Sequence, residues 1–459
     1  MLTGRGPELT SLQESYEKGE NTFVILYGRK HIGKTALIRE FMKDKKCLYY
    51  SAVAASEKQQ LELFQQQMTY QFPDITGHEY VPAEDYRGIF EQVQAVNDRV
   101  KVLIIDEFQH VVRNSKTFME SMTQLVKGNL FQDKVMVICT SSSISWVENS
   151  MVANLGEYAY SITSFLKLKE LSFVDTVRMF PAYSVPESMM IYAITGGVPG
   201  YMAQFTDKVS IKENICRQIL TKDKMLRSEG ADYIREELRE TSLYNTILYC
   251  IAGGEYKLNE LHVHTGFGRD KISVYLKNLM EREIVDKLFS FDAEGNVHTR
   301  KGLYRIKAGF MEFWFRYIYP HESQLMFMEP EEFYDRYVEG TLDAFAADTF
   351  VKVGTEYIDL LNTMNQLPIK ISHRGRWWGK TGNIDIIARD EDYHYVIGKC
   401  NWLSDCFSFE MFEELMYNVN LAGIGKNYIY LFSKGTFDEE LTMFAKENHN
   451  VKLIQLSDL

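Results

Sequence analysis

One short segment near the start of the chain restricts the fold more than any other feature. Residues 23–27, Phe-Val-Ile-Leu-Tyr, have the length and composition of a buried strand, and a glycine follows them directly. Residues 28–35 then read Gly-Arg-Lys-His-Ile-Gly-Lys-Thr, and residues 36–42 have the apolar spacing of a helix. A strand, a glycine-bounded loop and a helix in this order cradle phosphate groups. The segment therefore predicts an α/β nucleotide-binding domain with a parallel sheet.

The residue types in this loop suit the binding of phosphate groups and Mg²⁺. Gly28 and Gly33 let backbone N–H groups close on phosphate oxygens, and the start of the helix adds the positive end of its dipole. We expect Lys34 to reach the β- and γ-phosphates and the Thr35 hydroxyl to ligate Mg²⁺. The residues predicted to hold the nucleotide in this loop are Gly28, Arg29, Lys30, Gly33, Lys34 and Thr35.

A second buried strand ends in two carboxylates. Residues 102–105, Val-Leu-Ile-Ile, precede Asp106 and Glu107. Beside a phosphate loop, Asp106 would hold Mg²⁺ through water, and Glu107 would act as general base toward the attacking water. Another apolar strand, at 135–139, precedes Thr-Ser-Ser-Ser. Ser142 and Ser141 are equally good candidates to sense the γ-phosphate there, and a plain hydroxyl-rich turn is the alternative.

Further motifs resemble a known family. The chain is similar to the archaeal-type ATPases, prokaryotic members of the AAA+/STAND side of the P-loop superfamily. The similar segments are Gly-Arg-x-x-Glu-Leu at 4–9, the phosphate loop at 27–35 and Gly-Gly-Val-Pro-Gly-Tyr at 196–201. The resemblance implies ATP as the nucleotide, Gly4 and Arg5 near adenine, and Pro199 in a helical lid that contacts the nucleotide. Residues 156–160 depart from the family because they lack its arginine, so we assign no arginine to the γ-phosphate.

The pattern along the chain indicates four parts. We expect a P-loop ATPase core at 1–170, a helical lid at 171–240, a winged helix with an aromatic connecting helix at 241–320, and a C-terminal α/β domain at 321–459. A winged helix either contacts DNA or, as often in STAND proteins, braces the protein internally; we favour the brace. The cations that would meet nucleic acid are Arg269, Lys271, Lys277, Arg282, Lys287, Arg300, Lys301 and Arg305.

The C-terminal part is similar to a module of unassigned function attached to archaeal-type ATPases, which in turn resembles the PD-(D/E)xK nuclease fold. That restriction-endonuclease-like fold implies metal-binding carboxylates at Glu356 and Asp385, then a glutamate and a lysine on the next strand. Lys399 and Asn401 occupy those two positions. An ammonium group in place of a carboxylate opposes metal binding, and we expect Lys399 to pair with Asp385. We therefore predict a degenerate nuclease site that retains the fold.

Two alternatives use the same domain. Glu356 and Asp385 could still support a metal-dependent nuclease of a defence-type system. Alternatively, the protein could be a nucleic-acid-binding regulator, because cations flank the adjacent tryptophans Trp377 and Trp378, although paired tryptophans more often pack in a core. The cations concerned are Arg374, Arg376 and Lys380.

Composition limits the partners. The net charge is −12, so contact with DNA or RNA would need a local basic surface on the winged helix or the C-terminal domain. The six cysteines include no Cys-x-x-Cys pair, and no apolar run is long enough to span a membrane. We expect a cytoplasmic ATPase that hydrolyses ATP slowly with Mg²⁺ and acts as a conformational switch, with a second copy or a partner protein as further partners.

Overall fold

The computed structural model describes residues 2–73, 83–95, 101–113, 115, 117–127, 134–293, 302–425 and 427–459. The chain forms two compact units. The first comprises Met1–Glu170 with Val198–Gly200, and the second comprises Leu171–Gly197 with Tyr201–Leu459. Helices and sheets occur in both units, so the predicted α/β class is confirmed.

A five-stranded parallel sheet is the centre of the first unit. Its strands are β1 (Thr22–Tyr27), β2 (Cys47–Ser51), β3 (Val102–Asp106), β4 (Met136–Ser141) and β5 (Ser164–Lys167), in the order β2-β3-β4-β1-β5. Strands β1, β3 and β4 are buried throughout. Phe23 packs in the core on one face of the sheet and Val24 in the core on the other. Both faces are covered, which explains the continuous apolar runs in the sequence.

The helices of this unit connect and cover the strands. They are α1 (Gly6–Glu17), α2 (Lys34–Met42), α3 (Glu57–Gln71), α4 (Tyr86–Ala95), α5 (Gln109–Val112), α6 (Phe118–Val126), α7 (Ile144–Trp146) and α8 (Val152–Leu155). Strand β4 pairs with β1 on one side and β3 on the other. Because parallel strands end at the same edge, the segments that follow β1, β3 and β4 meet there.

The second unit is mostly helical in its first half. Its helices are α9 (Phe173–Met179), α10 (Val185–Thr195), α11 (Pro199–Met202), which begins in the first unit, α12 (Ile211–Ile215), α13 (Met225–Glu237), α14 (Thr241–Ala252), α15 (Leu258–Thr265), α16 (Arg269–Glu281), α17 (Gly309–Phe313), α18 (Glu322–Leu325), α19 (Pro330–Tyr337), α20 (Glu339–Thr363), α21 (Phe409–Leu421) and α22 (Glu439–Glu447). Ser172 and Ser184 start α9 and α10 with capping boxes, so these two ends are encoded locally.

An antiparallel hairpin follows the three helices α14–α16. Its strands are β6 (Val285–Leu288) and β7 (Leu303–Ile306). This element order agrees with the order expected for residues 241–306, and its identity as a winged helix stays a prediction. Arg300 and Lys301, predicted for the wing, lie outside the described residues.

The C-terminal sheet is mixed. Its elements are β8 (His373–Trp378), β9 (Asn383–Arg389), β10 (Tyr395–Asn401), β12 (Asn427–Ser433) and β14 (Val451–Gln455), and a separate short pair is formed by β11 (Cys406–Phe407) and β13 (Thr436–Phe437). The order is β14-β12-β10-β9-β8, with antiparallel pairing of β8 to β9 and β9 to β10 and parallel pairing elsewhere. Gly354 of α20 packs on this sheet, against Cys400, Ile386 and Phe432.

A search for membrane-spanning segments in the described part of the chain finds no helix with the length and hydropathy that a bilayer crossing requires.

We predict that Gly230→Ala destabilises the second unit. A Cβ atom at this position in α13 would overlap the indole ring of Trp314, whose side chain is fully buried. Overpacking of this kind costs about 1–3 kcal/mol of unfolding free energy and should lower the thermal midpoint by several degrees. Gly340→Ala in α20 is the control, since nothing lies within 4 Å of its Cβ position. Equal midpoints for the two variants would contradict the prediction.

Candidate nucleotide-binding site

The loop between β1 and α2 closes around its own lysine. Lys34 is only 6% exposed, and its Nζ donates hydrogen bonds to the carbonyl oxygens of Gly28 at 2.8 Å and Arg29 at 3.2 Å. Gly28 is required sterically, because a Cβ there would lie 2.7 Å from the carbonyl oxygen of Leu168. His31 and Gly33 have φ values of 61° and 96°, which turn the loop into the start of α2. Concave loops of this kind bind phosphate.

Arg5 braces the loop from the N-terminal segment. Its guanidinium is buried and donates to the carbonyl oxygens of Ile32 at 2.8 Å and Lys169 at 2.7 Å, and Glu8 accepts a further hydrogen bond at 3.1 Å. Arg5 therefore holds the backbone of the phosphate loop in place. The predicted contact of Gly4 and Arg5 with adenine stays a prediction.

The segment Val198–Gly200 also contacts the loop. The N–H of Gly200 donates to the carbonyl oxygen of His31 at 2.9 Å, and a Cβ on Gly200 would lie 2.7 Å from that of His31. The Pro199 ring lies close to Gly33. The resemblance assigned Pro199 to the lid, whereas the structure places it in the first unit. Its contact with nucleotide stays a prediction.

Asp106, at the end of β3, is held by two hydroxyl groups. The Thr140 hydroxyl donates to one carboxylate oxygen and the Tyr49 hydroxyl to the other. Burial, together with the hydrogen bond to Asp106, raises the pKa of Tyr49, so the phenol stays protonated and remains a donor. Asp106 is 6% exposed, and its position is therefore fixed by its neighbours.

Glu107 follows directly, in a left-handed backbone conformation with φ 53°. Its N–H donates to Thr140 Oγ1 at 3.1 Å, and its carboxylate accepts hydrogen bonds from Gln109 and from Ser142, whose Oγ lies at 2.7 Å. Lys34 Nζ lies 3.9 Å from the same carboxylate. Burial opposes ionisation, but Lys34 and the hydrogen bonds outweigh it and lower the pKa of Glu107. Glu107 is therefore a carboxylate at neutral pH.

The two serine candidates differ in the structure. Ser142 donates through both its backbone N–H and its hydroxyl to Glu107. Ser141 is fully buried, and its hydroxyl accepts from the N–H of Ser143 at 3.1 Å. The geometry therefore favours Ser142 as the serine that contacts the Glu107 carboxylate.

Sequence reasoning missed three residues of this site: Tyr49, Gln109 and Thr140. Thr140 was visible as a polar residue at the end of an apolar strand, but its partner depends on the pairing of β4 with β3, which brings Cys139 opposite Ile105. The contact of Tyr49 with Asp106 could not be predicted from the sequence, since a tyrosine in a strand is typical of side-chain packing.

The remaining loop residues have different environments. Arg29 is buried and forms an ion pair with Glu170 at 3.0 Å. Lys30 and Thr35 are half-buried, and Thr35 lies in the first turn of α2.

The residues predicted for a degenerate nuclease site make several separate hydrogen bonds and ion pairs, and the site itself stays a prediction. Lys399 Nζ lies 3.4 Å from the Asp385 carboxylate, as expected. Asn401 donates its side-chain amide to the carbonyl oxygen of Ser404 at 3.0 Å. Glu356 accepts hydrogen bonds from other residues, which are described below. Among the described residues, no group of three or more His, Cys, Asp or Glu side chains is arranged to hold a metal ion.

The cations proposed to bind nucleic acid are largely paired within the chain. Arg374 pairs with Asp359 at 3.0 Å and Arg376 with Asp348 at 3.4 Å. Trp377 is 7% exposed and lies in the core, so the packing interpretation of this tryptophan is supported.

On the helix-and-hairpin segment, Arg305 pairs with Asp348 at 2.6 Å and Arg282 donates to the carbonyl oxygen of Glu237 at 3.1 Å. These internal pairs reduce the positive charge that this segment offers to phosphate.

Comparison with known families agrees with the geometry. Residues 2–205 match an ATPase domain found predominantly in Archaea. Residues 314–414 match a family of archaeal and bacterial proteins of unknown function.

Individual relatives and structures extend the comparison. The uncharacterized protein MJECL04 of Methanocaldococcus jannaschii is 29% identical over 461 residues, with complete coverage of both chains. The uncharacterized ATP-binding protein MJ0423 of the same organism is 39% identical over 46 residues, which is 10% of this chain and 78% of that protein. The Walker-type ATPase PABY2304 of Pyrococcus abyssi matches with a TM-score of 0.51 at 15% identity, over 69% of this chain and 96% of that one. Residues 2–205 are thus similar to an ATPase domain found predominantly in Archaea.

We predict that Gly200→Ala weakens ATP binding about tenfold. The new methyl group would displace His31 and the phosphate loop at a cost of about 1–3 kcal/mol, and about 1.4 kcal/mol is a factor of ten in affinity. Titration with a fluorescent ATP analogue and Mg²⁺ measures the effect. Gly6→Ala is the control, since nothing lies within 4 Å of its Cβ position. Unchanged affinity of Gly200→Ala would contradict the prediction.

Proposed function

We propose that the protein binds ATP with Mg²⁺ and hydrolyses it slowly, and that the bound nucleotide acts as a conformational switch. The observation that carries the proposal is the convergence of Lys34 with Asp106 and Glu107 at one edge of the sheet. The ATPase-domain match over residues 2–205 supports the same assignment.

The residues at this edge suit a triphosphate and Mg²⁺. Thr35 and Asp106 would hold the metal ion, because Mg²⁺ prefers hydroxyl and carboxylate oxygens, and the ion would neutralise charge on the phosphates. The Lys34 ammonium, bound to two backbone carbonyls, would exchange them for phosphate oxygens. We expect the loop residues Gly28, Arg29, Lys30 and Gly33, with Pro199, to surround the phosphates.

Glu107 would take the proton of the attacking water. Its hydrogen bonds from Ser142 and Gln109 and the nearby Lys34 stabilise the ionised carboxylate. A base with a lowered pKa accepts protons weakly, which supports slow hydrolysis.

The switch would act on the parts that follow the ATPase core. We propose the limits 171–240 for the lid, 241–320 for the winged helix with its connecting helix, and 321–459 for a nuclease-like domain without nuclease activity. The ion pair of Lys399 with Asp385 supports the last assignment, because an ammonium group beside this carboxylate would oppose the binding of a metal ion. DNA or RNA stays the second choice of partner, after nucleotide.

We predict that Lys34→Ala and Glu107→Gln separate binding from hydrolysis. Lys34→Ala removes the cation that would bind the phosphates and should weaken ATP affinity about tenfold or more. Glu107→Gln keeps the shape of the site but removes the base, so ATP binding should persist while phosphate release falls about 10²–10⁴-fold. Calorimetric titration and steady-state phosphate release measure the two quantities.

Lys43→Ala is the matched control for Lys34→Ala, because Lys43 follows α2 on the surface, where it pairs with Glu40. The control should behave like the wild type. Failure of the wild-type protein to bind ATP with Mg²⁺ would refute the proposed function.

A further inference from the structure

Glu356 of α20 holds the two helices that begin the proposed lid. One carboxylate oxygen accepts a hydrogen bond from the Tyr192 hydroxyl of α10 at 2.5 Å, and the other accepts from the N–H of Phe173, the first residue of α9, at 3.1 Å. Lys352, one turn earlier on α20, lies 3.9 Å from this carboxylate and 4.6 Å from the centre of the Tyr192 ring. All four residues belong to the second unit. Glu356 therefore joins the C-terminal module to α9 and α10.

The far end of α10 is fixed as well. Gly309, at the start of α17, lies so close to α10 that a Cβ there would be 2.9 Å from the carbonyl oxygen of Ala193. A Cβ on Gly196 would in turn be 2.9 Å from the backbone nitrogen of Gly309. Helix α10 is thus held at two points, and a displacement of α10 has to move α20 or break its contacts.

The chain continues from α10 to the segment that contacts the phosphate loop. Gly196 and Gly197 have φ values of 65° and 78°, and Val198–Gly200 follows, where the Gly200 N–H donates to the His31 carbonyl. Only two residues separate the end of α10 from the segment that contacts the loop. A change in this segment when nucleotide binds would therefore act on α10 through the chain itself.

We propose that Glu356 is the positioning residue that couples the nucleotide state of the ATPase domain to the C-terminal module. The inference rests on the proposed function, since it requires nucleotide to bind the loop. Displacement of α10 changes the hydrogen bonds of Tyr192 and Phe173 to Glu356, and α20 responds because both carboxylate oxygens are engaged by the lid. Glu356, which the nuclease resemblance assigned to metal binding, thus connects α20 to α9 and α10 in this chain.

Hydrogen–deuterium exchange on the full chain tests the coupling. The probe is ATP with Mg²⁺, in a Glu107→Gln background so that turnover does not change the nucleotide state. With Glu356 present, nucleotide should change exchange about fivefold or more at residues 185–195 and at 343–360. With Glu356→Ala, the change at 185–195 should remain and the change at 343–360 should disappear. Tyr192→Phe, which removes one hydroxyl only, should reduce the response at 343–360 without unfolding the protein.

Asp359→Ala is the matched control on the same helix, because Asp359 pairs with Arg374 of β8. This variant should respond like the background protein at both segments. Nucleotide binding without any response at 343–360, or a response that survives in both Glu356→Ala and Tyr192→Phe, overturns the coupling and leaves the proposed function intact. A background protein that binds no ATP, measured by titration, overturns both.

Discussion

The arrangement of the candidate nucleotide site depends on the contacts of the buried Lys34 ammonium group. It satisfies two carbonyl oxygens of its own loop and lies 3.9 Å from Glu107, so one cation links the segments that follow β1 and β3. A buried charge without such partners would cost several kcal/mol. The strands that bring the partners together are therefore part of the site.

Two polar residues that follow or end β4 hold the Asp106 and Glu107 carboxylates in place. Thr140 donates to Asp106 and accepts from the Glu107 N–H, and Ser142 donates to the Glu107 carboxylate. The hydrogen bonds of both residues depend on the position of β4 between β1 and β3. The carboxylates are thus held by the strand that separates them from the phosphate loop, and the loop itself is held by Arg5 and Gly200.

The sequence predicted the elements of this site better than its contacts. The phosphate loop and the carboxylates after β3 were recognisable because their chemistry is local, whereas Tyr49 and Thr140 depend on strand pairing. Lys399 was expected beside Asp385 because the resemblance to the nuclease pattern put the two residues on consecutive strands, and the ion pair agrees with that. Glu356 was assigned to the same site, but its partners Tyr192 and Phe173 are more than 160 residues away in the chain and leave no local signal.

The pair of Lys399 with Asp385 has a consequence for how the C-terminal module responds to its surroundings. A divalent ion held by carboxylates leaves when chelators or low supply remove it, and the carboxylates then repel each other. An ammonium group attached to the backbone cannot dissociate. The charge balance between the neighbouring strands β9 and β10 is therefore independent of the magnesium concentration.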